Sequence, residues 1–292
     1  MRRFRICLTV TISLLAYAST PLAVGKVKES LIVSTDWLSQ HLKDDSLILL
    51  QVGERKEYDA EHIAGAQFIQ LADISTRAQG LILELPPVDQ LKATFEKLGV
   101  TYNSHIIVYF SDYLGLGDRT SILDGGLPAW RAEGKPITAE LRQPKPGHFI
   151  PAPNSKLVVD VDWVKANLNK PGVAILDARA AKFYTGEEAG QMPRAGHIPS
   201  AKNIPFSSLV EDSTNKFKSV DALRALFTGA GVKPGDGVAT YCHIGQQASL
   251  LYFVARYLGY EAHLYDGSFQ DWSNRKELPV EKSESEKPAA KP

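Results

Sequence analysis

Residues 238–260 read VATYCHIGQQASLLYFVARYLGY, a short apolar run followed by a polar loop and a longer apolar stretch. The run Val238–Tyr241 is typical of a buried strand. The stretch Ala248–Leu258 has the spacing of a helix, which we expect to begin at about Ala248. Together these segments predict a strand, a loop and a helix of an α/β domain, with Cys242 at the point where the strand ends.

The position of Cys242 favours a chemical role for its thiol. In open α/β sheets, ligands bind beyond the carboxyl ends of the strands, where helix N-termini converge. The free N–H groups and the dipole of a helix's first turn favour negative charge, so we expect a thiolate with a lowered pKa. Gly245 permits the loop to curl its N–H groups inward. The alternative is an inert, buried cysteine.

The alternation of strands and helices runs through both halves of the chain. Short apolar runs predict buried strands at Leu47–Val52, Ile106–Phe110 and Val173–Leu176, and helical patterns lie at Val88–Leu98 and Val220–Phe227. Four pairs of motifs keep their order: VSTDWL (33–38) and VDVDWV (159–164), LILLQVG (47–53) and VAILDAR (173–179), EHIAGA (61–66) and GHIPSA (196–201), LDGGLPAW (123–130) and YDGSFQDW (265–272). We therefore expect an α/β fold of two tandem domains, each a mostly parallel sheet flanked by helices.

The composition is that of a soluble globular protein. The 292 residues are 44% hydrophobic and 23% charged, with 33 basic and 33 acidic residues. This balance gives no indication of a nucleic-acid partner. The predicted segments are a signal peptide at 1–23, a domain at 30–138, a Pro-rich linker at 139–156, a domain at 157–279 and a disordered tail at 280–292. Asp36 and Asp162, each one residue before a tryptophan, are expected to cap helices.

The first residues predict export. MRRFR is a basic start, and residues 6–18 form an apolar core followed by small residues, which is typical of a secretory signal. We expect a periplasmic or secreted protein that has no membrane contact after cleavage; the alternative is an uncleaved membrane anchor. Only two cysteines occur, Cys7 and Cys242, so cleavage would leave a single thiol that has no partner for an intramolecular disulfide.

The repeated motifs and the loop Tyr241–Ala248 resemble those of tandem-domain rhodanese-like sulfurtransferases, which act on thiosulfate or 3-mercaptopyruvate. The resemblance extends from about Leu31 to Pro279 and implies a silent first domain. It implies that Cys242 takes a sulfane sulfur from a donor, holds it as a persulfide, and passes it to cyanide or a thiol. No cofactor is implied, and the oligomeric state is open.

The same resemblance assigns the residues that would bind the substrate. The loop residues His243, Ile244, Gly245, Gln246, Gln247 and Ala248 would supply amides around the sulfur. Arg179 and Lys182 would bind a dianionic donor, and for each the alternative is a salt bridge that stabilises the domain. His62 and His197 occupy equivalent turns, so we expect hydrogen bonds that stabilise the turns and no metal site.

Several positions depart from the family pattern. Mercaptopyruvate-type members carry serine as the third loop residue and an aspartate in the first domain, where this chain has Ile244 and Gln51. Thiosulfate is therefore favoured as the donor. Related phosphatases need an arginine at position 248, which here is alanine, so phosphatase chemistry has little support. The alternative to an enzyme is a persulfide carrier that passes sulfur to a protein partner without turnover.

The first copy is shorter than the second at one place. Tyr257 follows Cys242 by 15 positions, whereas Tyr113 follows Phe110, the equivalent of Cys242, by only 3. The first copy thus lacks the active loop and most of a helix, which would uncover one face of a parallel sheet. Either the second domain covers that face or the first domain is less stable; the sequence leaves both open.

Overall fold

The computed structural model describes residues 25–110 and 119–283. Within the first half, the strands are β1 (Ile32–Val33), β2 (Leu47–Val52), β3 (His62–Ile63), β4 (Gln67–Ile69), β5 (Thr76–Ala78), β6 (Leu81–Glu84), β7 (His105–Phe110), β8 (Thr120–Leu123) and β9 (Ile137–Thr138). The helices of this half are α1 (Thr35–His41), α2 (Arg55–Ala60), α3 (Val88–Lys97) and α4 (Gly126–Ala132).

The second half repeats the five strands of the main sheet in the same order, without a counterpart of the β5–β6 hairpin and with one more helix, α8, among the described residues. Its strands are β10 (Val158–Val159), β11 (Val173–Asp177), β12 (Lys202–Asn203), β13 (Gly237–Tyr241) and β14 (Glu261–Tyr265). Its helices are α5 (Val161–Asn167), α6 (Ala181–Thr185), α7 (Val220–Gly229), α8 (Gln246–Tyr257) and α9 (Ser268–Asn274). The helix after the cysteine loop thus begins two residues earlier than expected.

Each half forms one five-stranded sheet. The strand orders are β1-β8-β7-β2-β4 and β10-β14-β13-β11-β12, and all neighbours in both sheets are parallel. Successive strand residues point to opposite faces, so Leu47 and Leu49 enter one hydrophobic cluster while Ile48 and Leu50 enter another. The equal strand orders confirm the predicted α/β fold with two tandem copies.

The helix caps correct one sequence prediction. The N-caps of α1 and α5 are Ser34 and Asp160, whose side chains accept hydrogen bonds from the backbone N–H groups of Trp37 and Trp163. Asp36 and Asp162, which the sequence favoured, lie inside the first turn. The reason is geometric, because a capping oxygen reaches the N–H group two or three residues further along the chain.

The second domain covers the face of the first sheet that the short repeat leaves open. Leu31 and Ile122 of the first domain lie in one hydrophobic cluster with α7 and α8, and Ile32 packs against it. Phe149, from the segment that joins the domains, packs against the cluster around Phe95 on the same side of the sheet. The missing helix is therefore replaced in part by α8 of the other repeat. Residues 111–118, where the repeats diverge, lie outside the described residues.

The two ends of the chain fall largely outside the described residues. The predicted signal peptide and residues 284–292 of the predicted tail belong to that part. The tail prediction began at residue 280, but Glu281 exchanges two backbone hydrogen bonds with His197, at 2.8 and 2.9 Å. The chain is thus paired beyond Val280, because the backbone at His197 offers both a donor and an acceptor. Among the described residues, no helix has the length and apolar character that a membrane span requires.

Candidate active site

Cys242 lies directly after β13, at the carboxyl end of the second sheet. Its side chain is 0% exposed and is a free thiol. Four residues, from Cys242 to Gly245, join the strand to α8. Gly245 has φ +90°, and a Cβ there would lie 3.2 Å from the carbonyl oxygen of Asp266. This left-handed backbone confirms the predicted curl of the loop, and it explains why glycine occupies the position.

Two opposing effects act on the thiol of Cys242. Burial raises its pKa, whereas hydrogen bonds from the backbone N–H groups of Ala248, Ile244 and Gln247 act to lower it. The carboxylate of Asp177 adds to the increase, and the net result is a raised pKa. The expected amide cradle around the sulfur is therefore present. The expected lowering of the pKa is wrong, because the site is drier than a surface helix N-terminus.

Three hydrogen bonds join the N-terminus of α9 to Cys242 and His243, a feature that the sequence prediction missed. The Cys242 N–H donates to the Ser268 hydroxyl at 3.2 Å. The carbonyl oxygens of Cys242 and His243 accept from the N–H groups of Phe269 and Gln270, at 3.0 and 2.9 Å. The repeated Asp-Gly motif before α9 was visible in the sequence, but nothing in a motif shows which backbone groups it meets.

Arg179 lies beneath the loop in a buried ion pair. Its Nη2 is 2.6 Å from Asp177 Oδ2, its Nε is 3.0 Å from both carboxylate oxygens, and its Nη2 also donates to the Gly196 carbonyl oxygen. Both side chains are at most 1% exposed. Burial disfavours the charged guanidinium, but the Asp177 carboxylate more than offsets this and raises the pKa of Arg179. The salt bridge that the sequence left as the alternative is present, and contact of Arg179 with substrate stays a prediction.

The guanidinium group of Arg179 also stacks on the aromatic ring of Phe269, in α9. Its guanidinium carbon is 4.1 Å from the centre of the Phe269 ring and 5.7 Å from that of Tyr241. The Tyr241 hydroxyl in turn accepts from the N–H of Ile198 at 3.1 Å. The buried charge therefore links the ends of β11 and β13 to α9.

Lys182 lies further out than Arg179. Its Nζ is 3.0 Å from Glu188 Oε2, and the two side chains are 47% and 49% exposed. The ammonium group is thus paired but remains open to solvent, and its predicted role in donor binding stays a prediction.

His243 is half-buried, with its ring edge-on to Phe183 at 4.7 Å between centres. Burial lowers the pKa of His243, and the charge of Arg179 lowers it further, so the ring is neutral near neutral pH. The predicted loop residues Ile244, Gln246 and Gln247 are also half-buried, and Ala248 is fully buried.

The two repeated histidines stabilise turns, as predicted. His197 Nδ1 is 2.7 Å from the Tyr184 carbonyl oxygen and His62 Nδ1 is 2.8 Å from that of Tyr58. Each imidazole stacks on the tyrosine of its own repeat, with ring centres 3.9 and 4.0 Å apart. Each tyrosine hydroxyl donates to a carbonyl oxygen further along the turn at 2.8 Å.

Comparisons with known proteins agree with this geometry. The profile of the rhodanese-like domain matches residues 34–133 and 160–275. The chain is 31% identical to a sulfur carrier protein, TtuD, of Thermus thermophilus over 89% of this chain and all of that protein. It is 30% identical to the 3-mercaptopyruvate sulfurtransferase of Escherichia coli K12, covering 85% and 97% of the two chains. It is 29% identical to the thiosulfate sulfurtransferase of Azotobacter vinelandii, covering 86% and 97%.

A solved structure supports the same fold. The anaerobic ergothioneine biosynthesis enzyme of Chlorobium limicola superposes with a TM-score of 0.76 at 20% identity, covering 88% of this chain and 71% of that one. The class is defined by two matched domains, two parallel sheets with the same strand order and a buried cysteine at the end of the second sheet. The chain belongs to the rhodanese-like domain family, with two copies in tandem, and it is a sulfurtransferase.

Proposed function

We propose that the protein moves a sulfane sulfur from a donor such as thiosulfate to cyanide or a thiol, through a persulfide on Cys242. The observation that carries the proposal is the set of three backbone N–H groups, of Ile244 in the loop and of Gln247 and Ala248 in the first turn of α8, that act on the one cysteine of the described residues. Amides that stabilise a thiolate can equally stabilise the terminal sulfur of a persulfide, which is also an anion.

The proposed reaction has two half-reactions. The Cys242 thiolate attacks the outer sulfur of thiosulfate, a sulfur–sulfur bond forms to the cysteine, and the bond to the sulfonate sulfur breaks, releasing sulfite. The acceptor then attacks the terminal sulfur of the persulfide. With cyanide, a carbon–sulfur bond forms, thiocyanate leaves and the Cys242 thiolate is regenerated. No external oxidant or reductant is required.

Thiosulfate is proposed as the donor ahead of mercaptopyruvate. Ile244 cannot supply the hydroxyl that mercaptopyruvate-type loops carry, and its side chain is half-buried. Gln51 stands, buried, at the end of β2 where such enzymes have an aspartate. Curated relatives of both kinds have similar identity to this chain, so the loop chemistry decides the choice.

The test is the intact mass of the purified protein before and after incubation with thiosulfate, followed by release of thiocyanate on addition of cyanide. We expect Cys242 to gain one sulfur atom and to lose it to cyanide. Cys242→Ser should reduce transfer by several orders of magnitude, as loss of a nucleophile does in other enzymes. In a chain that keeps its first residues, Cys7→Ser leaves Cys242 as the one cysteine and should load like the wild type. Transfer that persists in Cys242→Ser would contradict the proposal.

A second candidate is a persulfide carrier that delivers sulfur to a protein partner. The relative that is named a sulfur carrier protein, at 31% identity, favours it. The two candidates differ in turnover. A carrier would form a stable persulfide on Cys242 and release little thiocyanate under steady-state conditions.

We further propose that the protein is exported and acts in the periplasm or after secretion. The basic start MRRFR and the apolar residues 6–18 support this proposal. Cell fractionation and the mass of the mature N-terminus test it, and an uncleaved chain in the cytoplasmic fraction would refute it.

A further inference from the structure

The β5–β6 hairpin of the first domain extends to the active loop of the second. Leu83 and Leu85, at the end of this hairpin, share a cavity of about 60 Å³ with Gly245, Gln246 and Ser249. The loop that holds Cys242 is therefore bordered by the domain that has no cysteine at the equivalent position.

Two side chains of the second domain accept hydrogen bonds from the backbone of the hairpin. The Leu85 N–H donates to Asp266 Oδ2 at 2.7 Å, and the Ile82 N–H donates to Gln270 Oε1 at 3.1 Å. Between them, Leu83 has φ +62°, a left-handed conformation that leucine rarely adopts. Such a conformation persists where surrounding contacts fix the backbone on both sides.

The same two acceptors are joined to the cysteine loop. The Gln270 N–H donates to the His243 carbonyl oxygen at 2.9 Å. Asp266 also lies close to Gly245, because a Cβ on that glycine would be 3.2 Å from the Asp266 carbonyl oxygen. Ser268, two residues after Asp266, accepts from the Cys242 N–H. A displacement of Asp266 or Gln270 would therefore move the loop amides that surround the sulfur.

We propose that the β5–β6 hairpin of the first domain positions the active loop of the second domain through Asp266 and Gln270. The first domain thus acts on sulfur transfer without contributing a reacting group. The inference rests on the proposed role of Cys242, whereas the reactivity of the thiol reports only how well the loop shields the cysteine.

Glu84, at the end of β6, makes this contact sensitive to pH. Its Oε1 is buried and has no hydrogen-bond partner. Burial, with a smaller contribution from the neighbouring carboxylates of Asp266 and Asp271, raises the pKa of Glu84 to about 7. Asp271 itself accepts from the Tyr265 hydroxyl and pairs with Arg275. The cleft that Glu84 lines also contains Lys156, Asp160, Asp162, Glu261 and His263.

The sign of the effect follows from the raised pKa. In the docked hairpin Glu84 keeps its proton to a higher pH than in the undocked state, so docking is favoured at low pH. As pH rises from about 4.5, where an undocked glutamate ionises, to about 7, where the docked side chain ionises, the docked state is progressively disfavoured, and above about 7 a third negative charge stands beside Asp266 and Asp271.

The rate at which iodoacetamide alkylates Cys242, followed by mass spectrometry of its peptide in the full chain, reports how tightly the loop is held. Asp266→Ala should be alkylated roughly tenfold faster than the wild type, as expected for the loss of one charge-assisted hydrogen bond. Asp266→Asn keeps an acceptor oxygen but loses the charge, and its rate should fall between those of the wild type and Asp266→Ala. Gln270→Ala, which removes only the contact with Ile82, should show a smaller acceleration and serves if Asp266→Ala folds poorly.

Glu84→Gln tests whether the charge of Glu84 affects the position of the active loop, apart from any effect on the overall stability of the protein. At pH 5.5 the alkylation rate of this variant should lie closer to that of the wild type, because the docked Glu84 is then neutral and only the undocked side chain is ionised. At pH 8.5 it should be alkylated several-fold more slowly than the wild type, because only the wild type carries the additional charge. The ratio of the two rates at each pH cancels the ordinary ionisation of the thiol. A ratio that does not change between pH 5.5 and 8.5 would contradict the effect of Glu84.

Asp124→Ala is the matched control. Asp124 is the equivalent of Asp266 in the first repeat and accepts from the Phe217 N–H at 2.8 Å, the same contact with the domains exchanged. Its loss should lower thermal stability to a similar degree and leave alkylation of Cys242 unchanged. The proposal is overturned if Asp266→Ala reacts at the wild-type rate, or if Asp124→Ala is accelerated equally. Persistent sulfur transfer in Cys242→Ser would refute the proposed function and leave this result intact.

Discussion

The two repeats share their scaffold and differ in what they place at the ends of two strands. In both, a tryptophan donates to a proline carbonyl oxygen, from Trp130 to Pro136 at 2.9 Å and from Trp272 to Pro279 at 2.8 Å. The same strand order and the same tyrosine–histidine stack also occur twice. The differences are Gln51 against Asp177, Gly53 against Arg179, and Phe110 against Cys242. The shared hydrogen bonds therefore belong to the fold, and the site of the second repeat differs by these three residues at the ends of β11 and β13 and by the loop and helix that the first repeat lacks.

The largest effect is expected from the buried charges that only the second repeat has. Asp177→Gln copies the residue of the first repeat, and Arg179→Met removes the guanidinium while keeping much of its volume. Each single change leaves one buried charge without its partner and should lower the free energy of unfolding by about 3–5 kcal/mol. The double variant has no unpaired charge and should be more stable than either single variant.

Chemical denaturation of the four proteins, compared as a double-mutant cycle, measures this coupling. A double variant that loses the sum of the two single losses would contradict the view that the ion pair is one unit. In that case the two repeats would differ at these positions in packing and not in charge.

The second prediction concerns the loop that the first repeat lacks. In Gly245→Ala the new Cβ adds contact with the Asp266 carbonyl oxygen to a strained left-handed backbone, so we expect a loss of about 1–3 kcal/mol in stability and a lower rate of sulfur transfer. Gly231→Ala is the matched control, since Gly231 has φ +83° with nothing within 4 Å of the added Cβ. It should lose about 1 kcal/mol through strain alone and keep full transfer. Equal transfer in both variants would show that the curl at Gly245 is not needed.

The third prediction tests what the repeats share. His62→Ala and His197→Ala each remove a ring stack and a hydrogen bond to a tyrosine carbonyl oxygen, and His62→Ala also removes the contact of Nε2 with the Glu140 carbonyl oxygen at 3.0 Å. At pH 8 both should lower the free energy of unfolding by about 1–3 kcal/mol, and His62→Ala by the same amount or more. A smaller loss in His62→Ala than in His197→Ala would mean that the two turns are not equivalent in energy.

The stack at His197 also has a pH dependence. Burial lowers the pKa of His197, so the folded protein holds the ring neutral while the unfolded chain binds a proton below about pH 6.5. The stability that this residue contributes is present above that pH and is lost as pH falls further. The cost of His197→Ala, measured by denaturation, should therefore be smaller at pH 5.5 than at pH 8. An equal cost at both pH values would argue against a neutral buried ring.

Much of this comparison could be predicted from the sequence, because it depends on patterns that occur twice. The strand β2 was predicted with its observed bounds, and β11 and β13 each within one residue, since buried parallel strands are continuous apolar runs. The curl at Gly245 and the amides around Cys242 followed from the strand–loop–helix order. The raised pKa of the thiol could not be predicted in this way, because desolvation depends on what packs over the loop from α9 and the other domain. The packing of α8 against the first sheet could not be predicted from the sequence pattern either, since it joins residues more than 100 positions apart.

The smallest effect on stability is expected at Lys182, and it decides whether this residue binds the donor. Lys182 pairs with Glu188 in solvent, so Lys182→Ala should change the free energy of unfolding by less than about 1 kcal/mol. If the ammonium group attracts a dianionic donor, KM for thiosulfate should rise about fivefold at low salt with kcat unchanged, and the difference should shrink at high ionic strength. Lys56 is the exposed lysine at the equivalent position of the first repeat, and Lys56→Ala should leave KM at the wild-type value. If both variants raise KM equally, the effect is one of overall charge; if neither does, Lys182 takes no part in donor binding, and the cation for the donor must come from elsewhere in the site.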